Sequence, residues 1–284
     1  MRYAGLVLAA TGLVTAAAVA HAGSVSQPGQ TIGLAVATPL PDGLYFIDTF
    51  NHGRRSTRPA ETDLGLNIPV LVWATPARIF DGHFGLIVAM PNVWVSNPGS
   101  RTQGGLTDFF ISGIVAWDLG GGVGVSYLLA AYLPFGTNLD AETTTINQRF
   151  AVGYTADGYN LTANLYYGTI VGPTTKNGAI YPDYLNLDLT ATKRFGKWEL
   201  GPVAFGSTDL PTRFPTYRSQ GQFAVGGLVG YDFGPFTVQA YLTRDVVERN
   251  YGGRDTRGWL RIVAPLNFGD PTPPTSPAPL RARY

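Results

Sequence analysis

The sequence predicts an all-β fold, a transmembrane antiparallel β-barrel of about 12 strands, on three observations. From about residue 43 to about residue 268, runs of roughly ten residues alternate apolar and polar side chains with a period of two. The connections between these runs alternate between long and short. Only 14% of the 284 residues are charged, against about 25% in an ordinary soluble domain, too few for a water-facing surface of this size.

Residues 1–22 carry Arg2, then a small apolar run from Gly5 to Ala20, then Ala20-His21-Ala22 before Gly23. That order of a basic start, an apolar stretch and a small-x-small site is the pattern of a secretory signal peptide. The chain contains no cysteine, which excludes disulfides and a lipidated cysteine after cleavage. Net charge is +1, and loss of Arg2 with the leader leaves the remainder near zero. Nucleic acid, which demands clustered basic surface, is excluded as a partner class on that ground. Residues 23–42 are expected to form a periplasmic N-terminal segment.

Strands are expected at about 43–51, 63–74, 83–94, 106–118, 122–134, 146–156, 159–168, 183–195, 197–207, 221–233, 236–246 and 256–268. The clearest pair is 106–118 with 122–134, folded at Asp118-Leu-Gly-Gly-Gly122, whose glycines supply the positive φ that a tight hairpin needs. Phe109, Ile111, Val115, Trp117, Val125, Tyr127, Leu129 and Leu133 share its uncharged face. Asp108, Phe110, Ser112, Ser126, Leu128 and Tyr132 share the other. Long connections at 52–62, 95–105, 135–145, 169–182, 208–220 and 247–255 alternate with short turns, as when long loops face outward and short turns the periplasm. Trp117, Phe195, Trp198, Phe233 and Phe236 recur beside the short turns with outward parity, as in an interfacial aromatic girdle.

The same parity assigns Leu64, Leu66, Ile68, Val70 and Val72 to lipid, together with Leu161, Leu165, Leu185, Leu187, Leu189, Val225, Val229, Leu260 and Ile262. Mid-strand charges fall on the opposite face, because one Arg facing lipid at mid-membrane costs about 2–4 kcal/mol. The candidate lumen-lining residues are Asp108, Phe110, Leu128, Tyr132, Arg149, Asp188, Arg194, Asp232 and Arg261. Their acids and bases are expected to pair and brace the wall, since unpaired charges are costly there. The barrel is expected to span 43–268 and end at Phe268. The Pro-rich tail 269–284, with five prolines, is expected to be disordered.

Gly105-Leu-Thr-Asp108, Ala131-Tyr-Leu-Pro-Phe-Gly136, Asn160 to Gly168, Asp188-Leu-Thr-Ala-Thr-Lys-Arg-Phe-Gly196 and Gly258-Trp-Leu-Arg-Ile262 give the chain a family likeness. Across most of 40–268 it resembles the family catalogued as putative meta-pathway of phenol degradation proteins. The resemblance implies a bacterial outer-membrane barrel, sometimes encoded near aromatic-degradation enzymes, that helps such compounds cross the membrane. It brings no catalytic or ligand residue. Residues 208–220 depart from the family's usual Tyr- and Gln-bearing segment.

Enzyme chemistry finds little support. His52, in the first long loop, and His83, beside a short turn, belong to opposite rims, so no metal or cofactor is expected. A Ser-His-Asn lipid hydrolase needs a serine beside His52, and none is identifiable. Gly120-Gly-Gly122 and Gly226-Gly227 open no helix and precede no Lys-Ser/Thr, so they read as turn and bend glycines rather than phosphate loops. Arg54, Arg55 and Arg58 could meet lipopolysaccharide phosphates or water. The expected function is a channel for small hydrophobic or aromatic solutes. A structural or adhesive barrel is the first alternative and a lipid-modifying enzyme the second. The expected partners are outer-membrane lipid, a small solute and the outer-membrane assembly machinery.

Overall fold

A computed structural model describes residues 24–58, 61–137, 139, 141–171 and 181–266. The leader, Phe268 and the 269–284 tail lie outside the described residues. The strands are β1 (Gly43–Arg55), β2 (Thr62–Ile79), β3 (Gly82–Ala89), β4 (Asn92–Ser96), β5 (Gln103–Leu106), β6 (Phe109–Gly120) and β7 (Val123–Leu133). They continue with β8 (Thr145–Tyr154), β9 (Tyr159–Ile170), β10 (Tyr184–Phe195), β11 (Trp198–Asp209), β12 (Gly221–Asp232), β13 (Thr237–Arg249) and β14 (Asp255–Leu266).

Every neighbouring pair is antiparallel, and β1 pairs with both β2 and β14, which closes the sheet into a barrel. β3 and β4 are two halves of one wall strand interrupted at Met90-Pro91, and β5 and β6 are halves of the next, interrupted at Thr107-Asp108. The closed barrel therefore has 12 strands, as the alternation predicts. Proline has no N–H to give the ladder, which accounts for the first interruption. The second lies opposite it, where the Thr107 N–H instead reaches the Pro91 carbonyl at 2.9 Å.

Local chemistry fixes the turns. Gly120, Gly121 and Gly122 all have φ between +62° and +84°, and the Asp118 carboxylate accepts the Gly120 N–H at 2.9 Å. At the β2–β3 turn Phe80 and Asp81 both take positive φ, the geometry of a tight two-residue hairpin. Aromatics gather at this end of the barrel. Trp198, Tyr231, Phe233 and Phe236 follow one another at centroid distances of 4.7, 4.7 and 5.0 Å.

The facing of most strands follows the expected parity, with Leu129, Phe150, Leu161, Leu165 and Leu260 exposed on the outside. β2 is reversed. Leu66, Ile68 and Val72 are buried inside, while Leu71 and Trp73 are exposed. Pairing with β1 sets this orientation, since Ile68 stands opposite the buried Thr49 and Leu66 opposite the buried Asn51. Alternation identifies the apolar face of a strand, and in β2 that face belongs to the interior.

Residues 24–38 occupy the barrel interior, where the sequence places only a periplasmic segment before β1. The segment descends along β10 toward the short turns. The Asn186 amide donates to the Ser26 carbonyl, Asp188 accepts from Gly29 and Thr31, and the Thr190 hydroxyl accepts the Gly33 N–H. Near the bottom, the Ser126 hydroxyl donates to the Val36 carbonyl at 2.7 Å. Ile32 is wholly buried in a seat of Val203, Phe205, Leu228, Tyr241 and Trp259.

Candidate functional site

The inner wall meets this plug with two opposed charges. Asp188, 2% exposed, accepts the Gly29 N–H at 2.7 Å, the Thr31 N–H at 2.9 Å, the Thr31 hydroxyl at 2.8 Å and the Tyr166 hydroxyl at 2.9 Å. Arg261, fully buried, donates to the Ile32 and Gln30 carbonyls, and also to Thr49, Gln239 and Tyr241. The carboxylate thus takes plug N–H groups and the guanidinium takes plug carbonyls. The expected bracing between wall charges is replaced here by bracing through the plug. A buried charge needs its hydrogen bonds satisfied, and main-chain groups of the inserted segment supply them.

The remaining candidates divide by height. Arg194 and Asp232 form the one ion pair among the nine, at 3.5 Å, both partly exposed beside the short turns. Arg149 donates to Asn147 and Tyr132 and lies 4.9 Å from the Phe110 ring and 4.5 Å from the Tyr166 ring. Phe110, Leu128 and Tyr132 are buried in an apolar cluster with Leu66, Ile68 and Ala130, against which Val25 of the plug packs. Asp108 accepts the Ala141 N–H at 3.2 Å and so ties Ala141, ahead of β8, to the wall.

Above the plug, toward the long loops, is a cavity of about 280 Å³. One side is apolar, from Leu64, Leu66, Ile68, Val93 and Val95. Arg55, Gln222, Tyr251 and Arg257 also line it, with Arg55 on β1 next to β2 and Arg257 on β14 in the row of Gly53 and Leu64, and Ser24, Val25, Pro28 and Gln30 form the floor. Pro91, Thr107 and Asp108, at the two strand interruptions, also line it. Tyr251 lies with its ring 5.0 Å from the Arg55 guanidinium, and burial pushes its phenol up to about 12.

Sequence reasoning missed this wall. Strand parity alone points Leu66 and Ile68 outward, and Arg55, Gln222 and Arg257 are brought together only by closure of the barrel. The plug also went unread, although 23–41 contains no charged residue, an unusual composition for an exposed linker. The Arg54-Arg55-Arg58 cluster is split by strand parity. Arg55 faces inward against Asp255, while Arg54 faces outward and donates to Asp63 at 2.9 Å. His52 stands between Gly65 and Gly258 on its neighbouring strands, so neither offers it a hydroxyl at its own level.

No curated protein matches this sequence. Among solved structures, an outer membrane channel from Pseudomonas putida F1 superposes with a TM-score of 0.62 at 14% identity, covering 85% of this chain and 100% of that one. The β-domain of the Bordetella autotransporter BrkA superposes with a TM-score of 0.50 at 13% identity, covering 80% and 100%. At these identities the likeness is one of fold, and the fold is that of outer-membrane barrels. The pattern of the family described as "Putative MetA-pathway of phenol degradation" matches residues 48–262, and the chain belongs to that family.

Proposed function

We propose that this protein is an outer-membrane channel for small solutes with an apolar body, shut toward the periplasm by its own N-terminal segment. The observation that carries the reading is the reversed facing of β2, which turns Leu64, Leu66 and Ile68 toward a cavity directly above the plug. Apolar side chains on the inside of a barrel do not serve ion passage, for which channels use polar or charged linings. A greasy wall beside a cavity of about 280 Å³ suits a small aromatic or short aliphatic body. Passage onward to the periplasm requires the plug to move, because Ile32 and Ala37 fill the interior below. A second exit is favoured by one observation only: the cavity touches both strand interruptions, at Pro91 and at Thr107-Asp108, where a solute could leave sideways into lipid.

The reading is tested with N-phenyl-1-naphthylamine, an apolar aromatic dye that an intact lipopolysaccharide leaflet excludes and that fluoresces on reaching inner lipid. Cells carrying the protein should take it up faster than cells without it, and Leu128→Arg should abolish the difference while the barrel still assembles. Uptake no faster than in control cells, or indifferent to Leu128→Arg, refutes the proposal.

A further inference from the structure

We propose that the solute taken by the cavity carries a carboxylate, seated between Arg55, Arg257 and Gln222. The inference rests on the channel reading and names the solute class for the same cavity. These three side chains are 7%, 4% and 5% exposed and line the same cavity as the apolar wall, Arg55 from β1 and Arg257 from β14, the two strands that follow β2 around the barrel. Each has a buried polar atom with no hydrogen-bond partner among the described residues: Arg55 Nε, Arg257 Nη1, and both Nε2 and Oε1 of Gln222. Gln30 adds its Nε2 from the floor.

Four of these five atoms are N–H donors, and the acids nearby leave one oxygen, Asp255 Oδ1, without a partner. Asp255 Oδ2 accepts Arg257 Nε at 3.0 Å and Nη2 at 2.8 Å, and lies 3.6 Å from Arg55 Nη2. Asp255 Oδ1, also without a partner, is packed over Gly53. Asp245 accepts the Asp255 N–H at 2.8 Å. The corner holds twice as many unpartnered donors as acceptors, four against Gln222 Oε1 and Asp255 Oδ1. A carboxylate brings two oxygens with about four acceptor sites and matches guanidinium donors in plane. A hydroxyl would satisfy fewer donors, and an ammonium would add donors to a corner already rich in them. An aromatic or short aliphatic body attached to that carboxylate would then lie on Leu64, Leu66, Ile68 and Val93.

The test is calorimetric titration of the purified full barrel in detergent with benzoate, benzyl alcohol and benzylammonium, corrected for empty micelles. Benzoate should bind, benzyl alcohol at least about tenfold more weakly, and benzylammonium not measurably. Gln222→Leu, nearly isosteric and uncharged, should weaken benzoate about tenfold and benzyl alcohol much less. Arg257→Lys, which keeps the charge and loses the planar fork, should weaken benzoate similarly. Retained gel mobility of the unheated barrel confirms that each variant is folded. Equal binding of the three probes, or benzoate affinity untouched by both substitutions, overturns the carboxylate assignment and leaves the cavity a solute site. Binding by none of the three overturns the channel reading as well.

Discussion

Asp188→Asn should loosen the plug without opening the barrel. The carboxylate uses Oδ1 for the Gly29 N–H and Oδ2 for the Thr31 N–H, the Thr31 hydroxyl and the Tyr166 hydroxyl. Asparagine keeps one acceptor oxygen and presents an NH2 where the other stood. The two hydroxyls can turn and accept from it, but one backbone N–H is left facing a donor. Hydrogen bonds to a charged group are worth about 1.5–3 kcal/mol each, and the substitution removes the charge from one backbone bond and the bond itself from the other. A loss of about 3 kcal/mol is therefore expected, which raises the undocked population roughly 100-fold at about 1.4 kcal/mol per factor of ten. The wall keeps its 12-strand ladder, because Asp188 takes part in it only through its backbone. In planar bilayers the native protein should be nearly silent. The variant should show brief openings of the size given steadily by a barrel lacking residues 24–38. A folded Asp188→Asn barrel as silent as the native one would refute the clamp.

Other substitutions separate wall from lumen. Leu129→Arg, on the exposed outer face, should block assembly at a cost of about 2–4 kcal/mol, while Ser126→Arg should assemble and raise conductance by displacing the Val36 carbonyl that Ser126 holds. Gly168→Ala should act on the plug at a distance, because the Tyr184 ring lies directly over Gly168 and its hydroxyl meets Ser26. Overpacking of that kind costs about 1–3 kcal/mol, and bilayer recordings should show more frequent openings than in the native protein. Mass spectrometry of protein purified from outer membranes should give Gly23 as the first residue; a retained leader would contradict the expected cleavage.

The parts of this molecule legible in its sequence are those set by local chemistry. Period-two alternation and turn residues such as Asp118 to Gly122 define strands and hairpins wherever they occur, so most of the wall could be placed. The orientation of β2 depends on a neighbour instead. Leu66 and Ile68 form an apolar face, and only pairing with β1 decides that this face looks inward. The plug was hidden for a related reason. Asp188 and Arg261 read as lumen charges that pair with other charges of the wall, since nothing local to either distinguishes a charged wall partner from inserted main chain. Arg55, Gln222 and Arg257 lie on β1, β12 and β14, and their proximity exists only once β1 meets β14.

The chain's lack of cysteine allows the most direct test of a plug that shuts the axial path. Ser24 and Asn186 are in contact, with the amide donating to the Ser24 hydroxyl at 2.6 Å, so Ser24→Cys with Asn186→Cys can be oxidised to lock the plug in place. With the disulfide verified by mass, N-phenyl-1-naphthylamine uptake should fall to the level of cells lacking the protein and return on reduction. Uptake that continues unchanged through the locked barrel would contradict axial passage and place the exit at the wall.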